Sequence, residues 1–345
     1  DLCFLSSENN STCYIFVCIY KDCQLKIYMN FTSFRMKNEI EVYILEYYNS
    51  TGRKKNMSNK HRFFLGCAVF AYSGWKNILF ESHLSKDQYL QQYSKFFHSV
   101  EGNSFFYGIP SLETIRKWQC QVPQDFLFVP KIPREYSHQG ALFPKRESIA
   151  SYVELLQRGF GNNLGPIFLQ LSPSYSEDFG KDLSLFLNHW RRTISIPICV
   201  ELRHINWFSS PYQDRIHVML SKMDICKVIL DTRPIYNASG DPQKNCQNRK
   251  PNLPVSFQTT SQICVVRYIG HPDQTENDIY LEEWSSVVAQ WLEEKKRVFF
   301  FVHCPEEQHS PNIAYRFYKK LKECRPSIRK FDFDPNKITQ QLSLF

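Results

Sequence analysis

The sequence predicts a parallel α/β protein of the (β/α)8 TIM-barrel class, a single domain spanning about residues 57–324. Three observations carry the prediction. Eight short apolar runs recur along the chain with amphipathic stretches between them. Those runs are apolar at nearly every position rather than at alternate ones, as expected for strands covered on both faces. Eight such repeats in about 260 residues is also the ordinary size of this barrel.

The strands read as Phe63–Val69, Ser99–Glu101, Phe126–Lys131, Ile167–Leu171, Ile198–Glu201, Lys227–Asp231, Ile263–Arg267 and Arg297–His303. The helical stretches are Ser85–Phe97, Ser111–Cys120, Ile149–Arg158, Lys181–Arg191, Tyr212–Lys222, Leu281–Glu294 and Asn312–Lys322. The first opens with a Ser-x-x-Gln capping pattern, Ser85 to Gln88, which satisfies amide donors that a helix leaves open. A doubly wound open sheet is the alternative. It ranks lower because no glycine-rich phosphate turn follows the first strand, and Gly159-Phe160-Gly161 follows a helix. The 28 Phe, 19 Tyr and 6 Trp are enough to fill a core of this size.

The ends differ from the middle. Residues 1–56 are rich in Asn, Tyr, Ile, Lys and Ser and keep no helical or strand period. Met57 and a strong apolar run follow, so residues 1–56 read as a non-native or poorly ordered extension. A small zinc arm on Cys3, Cys13, Cys18 and Cys23 is the alternative, although the spacing is not that of a zinc ribbon. Residues 325–345 read as a tail.

Composition narrows the setting. The 12 cysteines form no C-x-x-C pair, so they read as free thiols in a reducing cytoplasm. No apolar run approaches the roughly 20 residues of a membrane span. The formal net charge of +8 suits an anionic partner without requiring nucleic acid.

In a (β/α)8 barrel the strand C-termini and the loops after them carry function. Here those positions are polar: Glu101, Asn103 and Tyr107; Lys131, Arg134 and His138; Gln170; Glu201, Arg203 and Trp207; Asp231 and Arg233; Arg267 and His271; His303 and Asn312. Trp75, after the first strand, joins them. Arginine forks suit phosphate and carboxylate oxygens, and Glu101, Glu201 and Asp231 are the candidate general acids or bases. The bland alternative is mutual pairing among Glu201, Arg203, Asp231 and Arg233. Glu101, Glu201, Asp231, His138, His271 and His303 are also of metal-ligand type. They lie on different loops, so no spacing supports a divalent metal, and the cofactor stays open. The long polar segment from Pro234 to Gln262, with Lys244, Arg249 and Lys250, reads as a basic lid or a solvated insertion.

Several stretches carry a family resemblance. They are Gly66-Cys67-Ala68, Gly74-Trp75, Glu101 to Tyr107, Pro130 to Arg134, Gln170 to Tyr175, Glu201 to His204, Leu230 to Tyr236, and Val302-His303-Cys304-Pro305. With these the chain from Phe64 to about Lys322 resembles the YecE-like family, domain of unknown function 72, and most of all its cyanobacterial branch. The resemblance implies a (β/α)8 barrel and supplies no activity. Phe70 departs from it, standing where Trp is expected.

The chain closes on Gln341-Leu342-Ser343-Leu344-Phe345, which resembles the pentapeptide that binds the bacterial sliding clamp. Gln341 would make polar contacts, and Leu342, Leu344 and Phe345 would anchor in a pocket. The other reading is that these residues cover apolar surface on the barrel. The expectation is therefore a cationic, carboxylate-bearing site for a phosphate-containing or other anionic ligand, in a nucleic-acid processing or repair enzyme tethered to the clamp. A non-catalytic anion-binding module and a phosphosugar-type enzyme are the alternatives.

Overall fold

The computed structural model describes residues 61–238, 243–247 and 249–335, together with the backbone of two strands in the first sixty residues. Contacts divide the chain into two units, Asp1–Lys60 and His61–Phe345. In the first, β1 (Cys13–Cys18) and β2 (Lys26–Phe31) pair antiparallel, with Cys13 opposite Phe31. Each run holds β-branched or aromatic residues in a short stretch, which suits a strand without a sustained period.

The second unit is built on parallel strands. They are β3 (Phe63–Cys67), β4 (Ser99–Gly102), β5 (Leu127–Pro130), β6 (Ile167–Gln170), β7 (Ile198–Glu201), β8 (Cys226–Lys227), β9 (Ile229–Asp231), β10 (Ile263–Ile269) and β11 (Arg297–His303). Six of them form one sheet in the order β5-β4-β3-β11-β10-β9, and three form another in the order β6-β7-β8. Two parallel bridges, Phe128 with Leu164 and Lys131 with Phe168, connect β5 to the β6 region. β8 and β9 are one expected strand interrupted at Val228, which still donates its amide to the Val200 carbonyl at 2.9 Å.

Long helices follow seven of the strand positions: α1 (Tyr89–Phe96), α2 (Leu112–Cys120), α3 (Arg146–Phe160), α4 (Gly180–Thr193), α5 (Tyr212–Lys222), α6 (Asp278–Glu293) and α7 (Ser310–Cys324). The Ser85–Gln88 capping box is present, with the Ser85 amide donating to Gln88 Oε1 at 3.0 Å. Ser111 caps α2 through the Thr114 amide. After β9 there are only the short helices Arg233–Asn237 and Lys244–Gln247 among the described residues, and the chain then runs back without a covering helix.

Strand parity sorts the core in two. Phe64, Leu127, Val129, Phe168, Cys199, Cys226, Val228, Val265, Phe299 and Phe301 touch one another as a single apolar cluster drawn from both sheets. Their chain neighbours, among them Leu65, Val100, Phe128, Leu169, Val200, Val266 and Phe300, face the helices in a second, larger cluster. Phe300 stacks on Phe317 of α7 at 3.9 Å between centroids. Removing such a ring costs about 3–5 kcal/mol.

The stretch from Arg325, expected as a tail, packs on the body at its start. Phe331 and Phe333 are buried against Phe97 and Phe96. His98 Nε2 donates to the Lys330 carbonyl at 2.7 Å, while its Nδ1 accepts the Leu65 amide. Gln341, Leu342, Leu344 and Phe345 lie outside the described residues. Among the described residues the eight cysteines are unbridged, and no helix is long and apolar enough to cross a membrane.

Candidate functional site

The strand residues that continue the inner parity past the apolar cluster are charged. In β10, Ile263 and Val265 face inward and Arg267 follows them. In β7 Glu201 follows Cys199, and β5 leads from Val129 to Lys131. These side chains meet. Arg267 bridges two carboxylates, Nε to Glu101 Oε2 at 2.8 Å and Nη1 to Glu201 Oε2 at 2.5 Å. Lys131 Nζ lies 2.7 Å from the other Glu101 oxygen and donates to Gln170 Oε1 at 3.0 Å. His303 Nε2 is 2.8 Å from Glu101 Oε2. Glu101 and Glu201 are completely buried, and Arg267 is 3% exposed. Because Arg267 binds carboxylates from both sheets, the two sheets share one polar end.

Burial alone would push both glutamates up. Arg267, Lys131 and His303 outweigh it at Glu101, and Arg267, Arg203 and Lys131 outweigh it at Glu201, so both stay ionised. Burial and the Arg267 charge bring Lys131 down to about 8. Burial brings His303 down to about 3. The imidazole is therefore neutral at pH 7, and the 2.8 Å contact requires its Nε2 to carry the proton donated to Glu101.

Around this layer stand further groups. Arg203 Nη2 donates to the Arg249 carbonyl at 3.0 Å. Its Nε lies 3.7 Å from Glu201 Oε1, and both atoms are buried without a hydrogen bond within the described chain. His138 accepts from or donates to Ser137 Oγ at 3.0 Å. Burial, Arg203 and Arg134 hold its ring down at about 4. Gln170 is buried against Lys131, and Asn103 is fixed by donating to the Ala68 carbonyl at 2.8 Å. Asn312 Oδ1, near the start of α7, is buried without a hydrogen bond. Arg134 and Tyr107 stand exposed beyond the layer.

Two residues complete the site that sequence reasoning did not place in it. Lys250, from the segment after β9, is held below the usual lysine value by burial, Arg267 and Arg203, against the opposing pull of Glu101 and Glu201. Glu307, four residues past His303, is pushed up to about 7 by burial, against a 2.7 Å hydrogen bond from Ser310. Nothing in the sequence distinguishes Glu307 from Glu306, which is exposed. For Lys250 the signal was the basic run in a long loop on the functional side.

Several expected site residues belong elsewhere, for physical reasons. Asp231 has the opposite parity to Val228 and faces the helices. Its oxygens accept from Arg233 N and Nε at 3.0 Å, Arg233 Nη2 at 2.8 Å and the Trp284 indole at 2.7 Å. That saturates it as an acceptor, so it anchors Arg233 instead of acting as a base. Arg233 also pairs with Glu283 at 2.8 Å and lies over the Tyr280 ring. Trp75 is wholly buried, and its indole donates to the Glu307 carbonyl at 2.7 Å, so it positions Glu307 instead of touching a ligand. Trp207 donates to the Tyr175 carbonyl at 2.8 Å inside the protein. His271 holds the Asp273 amide through Nδ1 at 3.0 Å. Phe70 packs on Trp118. Among the described residues no three His, Cys, Asp or Glu side chains gather into a metal-binding set. Glu101 and His303 touch, and Glu101 is also ion-paired with Arg267 and Lys131.

Comparison with known proteins places this geometry in a family. A family model described as "Protein of unknown function DUF72" matches residues 64–336. The UPF0759 protein YecE of Escherichia coli (strain K12) is 27% identical over 289 residues, covering 82% of this chain and 99% of that protein. The UPF0759 protein YunF of Bacillus subtilis (strain 168) is 26% identical over 151 residues, 41% of this chain and 53% of that protein. Two crystal structures of DUF72 family proteins share the fold. One from Enterococcus faecalis V583 has a TM-score of 0.58 at 18% identity, covering 78% of this chain and 97% of that one. One from Thermotoga maritima MSB8 has a TM-score of 0.56 at 19% identity, covering 76% and 100%.

Proposed function

The chain belongs to the DUF72 family, and on that premise we propose that its two sheets are arcs of one (β/α)8 barrel whose polar end binds a small phosphate-containing or similar anion and moves a proton on it. The observation that carries the reading is the charge balance of the layer. Four cationic side chains, Lys131, Arg203, Lys250 and Arg267, face two ionised buried glutamates. Burying charge is unfavourable unless it is compensated. The positive excess, with Arg203 Nε lacking an acceptor, is compensated by an anion. Arg203 and Lys250 border the layer and would make the first contacts. Arg267 and Lys131, tied to carboxylates, set the field.

Glu307 supplies the proton chemistry. A carboxyl with a value near 7 is half protonated at working pH and can serve as acid or base. Trp75 and Ser310 hold it in place. Titration of the full protein with inorganic phosphate and phosphate monoesters tests binding. Glu307→Gln, which should keep binding and lose turnover, tests the chemistry. Failure of wild type to bind any of these anions would remove the reading.

The clamp-like pentapeptide Gln341–Phe345 supports a second proposal, that the protein is brought to a sliding clamp on DNA and serves nucleic-acid processing. A bacterial sliding clamp titrated with the full chain and with a chain lacking Leu344 and Phe345 decides it. Micromolar binding that vanishes on truncation supports it, and equal behaviour of the two chains ends it.

A further inference from the structure

We propose that the anion taken by this site is carried on a flat aromatic ring, as in a nucleoside 5′-monophosphate, with Phe106 and Tyr107 forming the seat for the ring. This rests on the anion reading above and deepens it to a ligand class.

The lining of the site is divided. On the side of β7, β11 and the segment after β9 stand polar groups: Arg203, Glu307 and Lys250. On the side of β4, β5 and β6 the cations meet rings as well as Glu101 and Gln170. Phe168 lies under both Lys131 and Arg267, whose charged groups are 5.0 and 5.5 Å from its centroid. Phe106 lies 6.0 Å from the same Lys131 nitrogen. Phe106 in turn meets His138 edge-on at 4.9 Å and Tyr107 edge-on at 5.3 Å. The rings thus lead from the buried lysine outward, and they end on Tyr107, which is 81% exposed.

His138 lies in the field of Arg203 and edge-on to Phe106, so an anionic head held at Arg203 and Lys250 has the Phe106 and Tyr107 rings within reach of what it carries. A bare phosphate or a sugar phosphate would leave Tyr107 in water. A planar base would cover it, and stacking of a base on an aromatic side chain strengthens binding by about tenfold or more. Tyr107 tolerates replacement because so little of it is packed.

The test is calorimetric titration of the full chain with adenosine 5′-monophosphate, ribose 5-phosphate and inorganic phosphate, repeated with Tyr107→Ala and Phe106→Leu. The expected result is adenosine monophosphate binding at least about tenfold tighter than ribose 5-phosphate. Tyr107→Ala should erase that preference and leave the two smaller anions unchanged. Equal affinity of the nucleotide and the sugar phosphate for wild type, or a preference that survives both substitutions, would overturn the ring seat while leaving the anion site intact. Absence of binding by all three probes would overturn the anion site itself.

Discussion

Leu230 and Arg267 are register partners on adjacent parallel strands, and Asp231 follows Leu230 by one residue. That single step turns the side chain from one face to the other. On the helix side, Asp231 accepts from Arg233 and from the Trp284 indole, and Arg233 adds Glu283, so two carboxylates meet one guanidinium and an N–H. On the inner side, Arg267 also holds two carboxylates, but Lys131, Arg203 and Lys250 stand around them. The first set is saturated from within the chain. The second keeps positive charge and unpaired polar atoms in excess. The same residue types serve as an anchor where donors and acceptors balance, and as a site where they do not.

The most severe break would come from Arg267→Met. It leaves Glu101 and Glu201 buried without their shared partner, and stability should fall by about 3–5 kcal/mol in urea denaturation. A loss below about 1 kcal/mol would mean the inner set is not coupled through Arg267. Asp231→Asn should cost less, about 1–3 kcal/mol, because Arg233 keeps Glu283. It should leave phosphate affinity unchanged. An affinity that falls with Asp231→Asn would erase the distinction between the two faces.

Lys250→Met should do the reverse, weakening phosphate binding by about tenfold while stability moves by no more than about 0.5 kcal/mol. The smallest effect is the pH dependence. Glu307 has a raised value of about 7 against an ordinary 4.5, so its contribution to stability is fully present below 4.5 and is lost as pH rises through 7. His98 and His303, both held near 3 against an ordinary 6.5, have the opposite sign, and their contribution is lost as pH falls from 6.5 toward 3. Glu307→Gln removes only the first. Relative to wild type the variant should gain stability between pH 5 and pH 8, by less than about 1.4 kcal/mol per pH unit. A difference that is flat with pH would show that Glu307 titrates like an exposed carboxyl.

Much of the fold was legible because parallel strands covered on both faces are dense in β-branched and aromatic residues, and the seven long helices carry a clear period. The interruption at Val228 was not, since Lys227 to Asp231 reads as one apolar run ending in a charge. The same density hides which face a residue takes. With both neighbours of Asp231 in a strand buried on both sides, no hydrophobic alternation marks it as outward, so it was grouped with Glu101 and Glu201. Lys131, Gln170, Glu201, Arg203, Arg267 and His303 were legible as polar residues ending apolar runs. That the indoles of Trp75 and Trp207 donate to the Glu307 and Tyr175 carbonyls is not visible in a sequence. Glu307 was illegible because the residue that fixes its backbone, Trp75, lies 232 positions away.

The most direct test of the surplus-charge account is calorimetric titration of the full chain with inorganic phosphate at low and high salt, beside an Arg203→Met, Lys250→Met double variant. The account predicts one phosphate per chain, weakened by salt and abolished in the double variant while its fold persists. Phosphate binding that is equal in wild type and double variant, or absent from wild type at millimolar concentration, would contradict it.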